Sequence, residues 1–323
     1  MKEYKTTGIG ILSCVCRNID CAHNATYVIY ASGLVFLHTS QVVGRNYVGG
    51  IFGYWTILDK SITAKFNTND TNTPVATGKT NKEVVAGYGQ YIGGFFGRLE
   101  GTGTISFAKD SAMVGEIDCG GSDENPNSNQ VTGSIIGGVV GYNNGTNLNF
   151  SALTSAITSS TINGNRGGHT SSITLNSATY TGAFIGGIVG FNNGNITGPS
   201  NGTSLRNGGA LYAVSKGNYL GGIVGFNYAG EIKDCKASAS FSSSFAGDYV
   251  GGVVGYVYGG TISGSTSFSG SIYGVNYVGG LVGRYDSTSA LTLSNITNAS
   301  TITNKDNGSQ CGDTYTNPSC KCW

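Results

Sequence analysis

Residues able to carry acid–base or nucleophilic chemistry are few in this chain and widely spaced. Its 323 residues include 17 acids and three histidines, His23, His38 and His169. The densest acidic group is Asp110, Glu116, Asp118, Asp123 and Glu124. A pair of such carboxylates would suit glycosidic hydrolysis, a chemistry that β-helical proteins often carry. A cluster of them would suit calcium. The group lies in or beside a Gly- and Asn-rich insertion, where a solvated acidic loop is the simpler reading. No Gly-x-Ser-x-Gly elbow supports a Ser-His-Asp arrangement, and His169 follows Arg166-Gly167-Gly168 in what reads as an exposed loop. No Gly-x-x-x-x-Gly-Lys-Ser/Thr signature accompanies the glycines; Gly78-Lys79-Thr80 lacks its first glycine, because position 73 is Thr. Cys14, Cys16 and Cys21 have no flanking base that would activate a thiolate. No catalytic residue, metal ligand or cofactor is assigned, and an enzyme is not expected.

The cysteines and asparagines point elsewhere. Cys14, Cys16 and Cys21 sit near one end, Cys311, Cys320 and Cys322 near the other, with Cys119 and Cys235 between. No CxxC pair or adjacent His gives zinc-ligand spacing. Disulfides stapling the chain ends are the expectation for all eight, with free buried thiols as the plainer alternative. N-glycosylation sequons begin at Asn24, Asn69, Asn144, Asn149, Asn195, Asn201, Asn295, Asn298 and Asn307. An Asn-, Ser- and Thr-rich chain makes sequons by chance, but together with the cysteines they favour an extracellular or cell-surface location.

Composition narrows the partners. Charged residues are only 11% of the chain and the net charge is +1, so nothing here would neutralise a run of phosphates and nucleic acid is not expected. No apolar run reaches the roughly 18 residues of a membrane span. The opening residues make a poor signal peptide, read either as a mature chain or as a piece of a longer one.

What would position any site is a repeat. An aromatic or Ile, an aliphatic, Gly-Gly, two apolar residues and Gly recur at Tyr47–Gly53, Tyr91–Gly97, Ile135–Gly141, Phe184–Gly190, Tyr219–Gly225, Tyr249–Gly255 and Tyr277–Gly283. The paired glycines are Gly49 with Gly50, Gly93 with Gly94, Gly137 with Gly138, Gly186 with Gly187, Gly221 with Gly222, Gly251 with Gly252 and Gly279 with Gly280. The pairs are spaced 44, 44, 49, 35, 30 and 28 residues apart. An aromatic or Arg follows each copy, then a Gly-containing turn, then a Ser/Thr-rich alternating stretch that reads as strand. Three glycines per copy rule out helix, at about 1 kcal/mol each. A unit near 30 residues cannot bury its own apolar face, so it must stack on its neighbours. The fold expected is all-β: a β-solenoid, or parallel β-helix, of about seven imperfect glycine-rich coils with cysteine-rich ends. Residues 1–46 would be an N-terminal cap, 47–298 the solenoid and 299–323 a C-terminal cap.

Alternation through the motif divides it into two faces, Tyr249, Gly251 and Val253 on one and Val250, Gly252 and Val254 on the other, both apolar. The glycines are expected at tight corners or where one backbone layer closely approaches another. The aromatics beside the motif, Tyr54, Trp55, Tyr142, Phe191, Phe226, Tyr228, Tyr256 and Tyr258, would stack into a ladder. That ladder is either packing or a sugar-binding stripe.

The apolar-Gly-Gly-apolar-apolar-Gly core resembles the GLUG-type glycine repeats of bacterial surface and adhesin-like proteins. The resemblance covers roughly residues 47–300 and implies a parallel β-helix. The function expected is structural: a secreted glycoprotein that assembles head-to-tail with copies of itself into a fibre or coat. A surface adhesin or glycan-binding module is the alternative, and a polysaccharide-degrading enzyme the weaker one.

Overall fold

The computed structural model describes residues 26–30, 33–38, 42–44, 46–68, 83–87, 89–119, 135–163, 171–175, 177–212, 218–241, 247–285, 292–293, 297–304 and 310–311. It is a parallel β-helix. Among these residues the strands form three stacked sheets, parallel but for one antiparallel edge strand, and one separate two-stranded hairpin. Each coil passes through four strand positions. The coil nearest the middle of the regular region runs Tyr219–Gly221, Val224–Asn227, Glu231–Lys233 and Lys236–Phe241. The third position builds the ten-stranded sheet and the second builds the seven-stranded one. The fourth and first share the fifteen-stranded sheet, because the 13-residue strand Ser267–Gly279 serves both.

Register is the organising fact. Gly49 pairs with Gly93, Gly93 with Gly137, Gly137 with Gly186, Gly186 with Gly221, Gly221 with Gly251 and Gly251 with Gly279. The first glycines of all seven motif copies therefore form one row along the axis. Ile136, Ile185, Leu220, Val250 and Val278 make the adjoining row. That row faces the core, and the row that opens the motif (Phe184, Tyr219, Tyr249, Tyr277) faces outward.

The two-faced strand expected across the whole motif does not form. The strand Phe184–Gly186 ends at the first glycine, and Val189–Asn192 begins three residues on. The chain bends between them, so Val253 and Val254, expected on opposite faces, are both fully buried. The second glycines of the pairs are corrected in the same way. Gly50, Gly94, Gly138, Gly187, Gly222, Gly252 and Gly280 lie in the bend and belong to no strand. They form a second row, held by close approach between coils. A Cβ on Gly50 would overlap the carbonyl oxygen of Gly94, one on Gly94 that of Gly138, and one on Gly138 that of Gly187. The series continues from Gly187 to Gly222, Gly222 to Gly252 and Gly252 to Gly280. Each second glycine thus leaves the space its neighbour's carbonyl fills.

The motif is therefore a corner, and its other glycines answer to the same need. A Cβ on Gly186 would overlap the carbonyl oxygen of Val189, and one on Gly190 would lie 2.7 Å from the oxygen of Gly141 in the previous coil. Positive φ belongs to the downstream turn instead, at Gly145 (97°) and Gly230 (93°).

The core holds an inner column of rings, Phe36, Phe66, Phe107 and Phe150, with neighbouring centroids 5.0, 5.1 and 4.2 Å apart. Burial of each such ring contributes about 2–3 kcal/mol. Trp55, expected in the outer ladder, packs inward on Phe52 and Phe96 at 4.5 and 5.8 Å.

Stacking extends past the motif copies at both ends. Gly33–His38 pairs in parallel with Ser61–Thr68 and carries the antiparallel strand Thr26–Tyr30 on its other edge. At the far end Thr297–Asn304 pairs with residues 267–274, and Gln310–Cys311 pairs with Val278 and Gly279. Strands therefore occupy parts of both segments expected to be caps.

Cys14, Cys16, Cys21, Cys320, Cys322, Asn24, Asn69, Asn295 and Asn307 lie outside the described residues, as do the side chains of Cys119, Cys311 and Asn298. Cys235 corrects an expectation. It is a free, fully buried thiol, not half of a disulfide. Its Sγ points into the core and donates to the carbonyl oxygens of Lys233 (3.2 Å) and Ile196 (3.7 Å).

Candidate functional site

The acidic group does not assemble into a site. Asp110 is exposed at a turn with φ 61°, whereas Glu116 is 4% exposed. The side chain of Asp118 and all of Asp123 and Glu124 lie outside the described residues, as do His23, His169 and the side chain of His38. Among the described residues no three His, Cys, Asp or Glu side chains gather as metal ligands. No helix among them is long and apolar enough to cross a membrane.

The chemistry on the surface is aromatic. The row that opens the motif stacks Phe184, Tyr219, Tyr249 and Tyr277, with centroids 4.7, 4.7 and 5.1 Å apart and planes within 6°. A second row, just past the motif, stacks Tyr142, Phe191, Phe226 and Tyr256 at 4.7, 5.7 and 5.1 Å. The rows meet edge to face, as between Tyr219 and Phe226 at 5.6 Å and 73°. In-register parallel strands place equivalent residues about 4.8 Å apart, close to the offset that rings prefer.

Arginine replaces the ring of the second row twice. The Arg98 guanidinium lies 5.0–6.0 Å from the ring centroids of Tyr47, Tyr54, Tyr91 and Tyr142. Arg284 lies 4.8–5.9 Å from those of Tyr249, Tyr256 and Tyr277. Such contacts contribute about 0.5–2 kcal/mol, more as water is excluded. Arg98 Nε also donates to Glu100 Oε1 (2.8 Å), and the Tyr54 hydroxyl donates to Glu100 Oε2 (2.6 Å). Burial works against the Glu100 carboxylate, but the hydrogen bonds from Tyr54 and Arg98 prevail and lower its pKa. Burial raises the pKa of Tyr91 and Tyr142 against the opposing pull of Arg98.

Part of this face is already covered. Ser171–Leu175 and Ala178–Gly182 form an antiparallel hairpin, inserted where the sequence shows only a Gly/Ser/Thr-rich loop. Its Ile173, Leu175 and Tyr180 pack on the aromatic rows, with the Tyr180 ring 5.0, 5.5 and 6.0 Å from Phe226, Tyr256 and Tyr258. Phe184, Phe191 and Phe226 are at most 1% exposed beneath it, and Tyr256 is 6% exposed. At the other end of the ladder Tyr47 and Tyr54 stay open, 37% and 49% exposed. The ladder is therefore packing in its middle and a free surface at its N-terminal end.

Behind the second row runs an asparagine ladder that went unread. Asn143, Asn192 and Asn227 are fully buried, one per coil and in register. Asn143 Nδ2 donates to Asn192 Oδ1 (2.9 Å), Asn192 Nδ2 to Asn227 Oδ1 (2.8 Å) and Asn227 Nδ2 to the Gly259 carbonyl (2.8 Å). Asn143 and Asn192 also hold their own turns, through the carbonyls of Thr146 (2.8 Å) and Gly194 (2.6 Å), while Asn227 reaches the turn of the next coil. The signal was present as Asn two or three residues before the turn glycine: Asn143 before Gly145, Asn192 before Gly194 and Asn227 before Gly230.

One complete coil, with its glycine corner and all four strands, lies within the segment that the family comparison picks out. Residues 216–242 match the GLUG motif. The other copies stack on this coil in register, from Val48–Gly49 pairing with Ile92–Gly93 through to Gly251 pairing with Gly279. No curated protein and no solved structure matches the chain.

Four described sequons fall on turns and strand edges of the coils. Asn195 is exposed and uses its Oδ1 to accept from the Glu231 amide (2.8 Å). Asn201 is exposed but donates Nδ2 to the Leu153 carbonyl (3.0 Å). Asn144 and Asn149 are half-buried, and their Oδ1 atoms accept from Asn193 Nδ2 and the Ser151 amide (3.0 Å each).

Three buried titratable groups tie the stability of the fold to alkaline pH, two of them against it and one for it. Burial raises the pKa of the Cys235 thiol above its usual 9.0 and that of the Tyr219 phenol above its usual 10.0. Each stabilises the fold fully below the unfolded value and loses that stabilisation as pH climbs toward the folded one. Arg206 acts oppositely. It is fully buried, donates to the carbonyls of Ser160 (2.5 Å) and Gly187 (3.4 Å), and has its pKa lowered by burial from 12.5 to about 10. Above about pH 10 it sheds its buried charge while the unfolded chain keeps one, which adds stability. With Tyr91 and Tyr142 raised as well, the losses outnumber the single gain, so stability falls as pH rises above about 10. Thermal unfolding followed from neutral to strongly alkaline pH should show a falling midpoint. A midpoint that stays level or rises contradicts the assignment.

Proposed function

We infer that this protein is a structural, self-assembling solenoid of an extracellular surface, and not an enzyme. The observation that carries this reading is the seven-stranded sheet. Its strands run in one register from Phe52–Thr56 to Val282–Tyr285, and neither outer strand has a partner beyond it among the described residues. Such edges pair with further chains unless capped. The two ends of a parallel stack differ, so an end-to-end contact is heterologous and propagates as a filament. Low charge removes repulsion between copies. Disulfides between the terminal cysteine clusters would lock the contact, and glycans at exposed sequons such as Asn195 would shield the sides.

Purified full-length chain is expected to form unbranched filaments in electron micrographs, and reducing agent should shorten them. Discrete monomers at every concentration would overturn the reading. Adhesion to glycans is a second reading, favoured by the open Tyr47 and Tyr54 rings and the half-buried Tyr91 beside Arg98 and Glu100. It would show as discrete particles together with glycan-array binding that Tyr91→Ala abolishes.

A further inference from the structure

We propose that Tyr54 is a site of oxidative cross-linking, where a one-electron oxidant of the haem-peroxidase class, fed by hydrogen peroxide, makes a phenoxyl radical that couples with Tyr54 of a second copy. The proposal goes beyond the assembly reading. Such a bond joins copies side to side and needs neither an end contact nor a disulfide.

The phenol is placed to lose an electron and a proton together. Tyr54 is 49% exposed, the most open aromatic ring among the described residues. Its hydroxyl donates to Glu100 Oε2 at 2.6 Å and accepts from Thr56 Oγ1 at 3.2 Å. The second bond leaves the phenolic proton pointing at the carboxylate. Burial works to protonate Glu100, but the hydrogen bonds from Tyr54 and Arg98 prevail and hold its pKa below the usual 4.5. Glu100 is therefore an ionised acceptor at neutral pH. A phenol that has lost an electron is a far stronger acid than any carboxylic acid, so its proton passes to Oε2 along a hydrogen bond that already exists. The Arg98 guanidinium, 5.8 Å from the ring centroid, opposes any positive charge left on the ring and makes that transfer compulsory.

The neighbouring rings keep the radical at the surface. Tyr47 lies 6.0 Å from Tyr54, Tyr91 5.1 Å from Tyr47 and Tyr142 5.1 Å from Tyr91. Burial raises the pKa of Tyr91 and Tyr142 against the pull of Arg98, so those two phenols hold their protons harder. A bond between ring carbons ortho to the hydroxyls needs two rings side by side, and Tyr47 stands edge to face with Tyr54 at 85°. Coupling therefore falls to a ring of another copy. Each Tyr54 gives up one electron and one proton. The two radicals pair their electrons in one carbon–carbon bond, and the hydrogens on the joined carbons move to the phenoxyl oxygens to restore both rings. Two tyrosines thus lose two hydrogens in all, and one hydrogen peroxide takes them up as two waters.

The test treats full-length chain with hydrogen peroxide and a haem peroxidase and follows dimers that survive reducing agent on denaturing gels. A dimer is expected, and digestion should release a 54–54 linked peptide lighter than its two parts by two hydrogens. Tyr54→Phe is expected to remove that dimer. Tyr228→Phe, which alters a half-buried outer ring stacked on Tyr258 at 5.2 Å, should leave it unchanged. Glu100→Gln keeps the shape of the side chain but accepts a proton poorly. It is expected to slow dimer formation about a hundredfold, the lower end of what a positioned base contributes. Its remaining rate should climb with pH as hydroxide replaces the carboxylate as acceptor, whereas the parent rate stays level across neutral pH. A dimer that persists in Tyr54→Phe, a link between Tyr47 and Tyr54 of one copy, an unchanged rate and pH profile in Glu100→Gln, or no dimer at all would each overturn the proposal. The filament images that test the assembly reading are independent of every one of these outcomes.

Discussion

Gly186→Ala is expected to unfold the centre of the solenoid, with a loss above about 4 kcal/mol, the range that marks a forced backbone rearrangement. The added methyl would overlap the carbonyl oxygen of Val189 and sit 2.8 Å from that of Ile223 in the next coil. Neither obstacle is a side chain that could rotate away. The Val189 oxygen belongs to the corner itself, and the Ile223 oxygen accepts hydrogen bonds from the amides of Ile188 and Val189 (2.9 Å each). Relief would require opening the corner and breaking those bonds to the next coil. Gly208→Ala is the internal control. Gly208 has φ 76° but nothing within 4 Å of the new atom, so only the cost of a left-handed backbone, about 1–2 kcal/mol, applies. Denaturation midpoints of the two variants should differ severalfold in their shift from the parent. Equal shifts would mean that the motif glycines serve flexibility and not close approach.

Asn192→Ala is the second large effect. The side chain is the middle member of the asparagine ladder. It accepts from Asn143 Nδ2, and it donates to Asn227 Oδ1 and to the Gly194 carbonyl. Truncation removes those bonds and strands polar groups of two neighbouring coils in a fully buried row. Each stranded group costs about 1–3 kcal/mol, which sets the expected loss at about 3–5 kcal/mol. Asn192→Leu should recover little, because apolar volume does not satisfy the orphaned amides. Hydrogen exchange provides a local readout. The amides of Asn193 and Tyr228, which donate to the carbonyls of Asn143 and Asn192 (2.9 and 2.8 Å), should lose protection first. Unchanged protection at those two amides would show that the ladder does not hold the turns.

The rows most legible in the sequence were those built from repetition. Parallel in-register strands put equivalent residues directly above one another, so a periodic residue type becomes a physical row. The glycine rows, the aliphatic row and the aromatic rows were all readable for that reason, but not which of them faces the core. Even there the local rule misled at one point. Period-two alternation assumes an extended strand, and the chain bends at Gly-Gly. The second glycines, from Gly50 through Gly94 and Gly138 to Gly280, therefore leave the strand, and Val253 and Val254 both turn inward. Trp55 shows the same limit. It follows Tyr54 beside the motif, yet it shares the register row of Leu99 and packs inward on Phe52.

Features that occur once were not readable. The hairpin from Ser171 to Gly182 looks like any Ser/Thr-rich insertion. Only its docking on Phe226 and Tyr256 shows that half of the ladder is interior packing. Cys235 looks like a candidate disulfide until its thiol is seen among core carbonyls. Arg206 looks like an ordinary surface cation in a Ser/Asn-rich stretch and is fully buried.

By itself the sequence determined the stacking: all-β coils, the place of each corner and the rows that run along the axis. These depend on contacts between equivalent residues of neighbouring coils, and a repeat writes such contacts into one dimension. Only the tertiary structure decided which row faces the core, which stretch of the aromatic ladder stays open and which sheet edges remain unpaired. Those outcomes depend on contacts between unlike segments far apart in the chain, a loop over a ladder or one end against another, and such contacts have no period for a sequence to display.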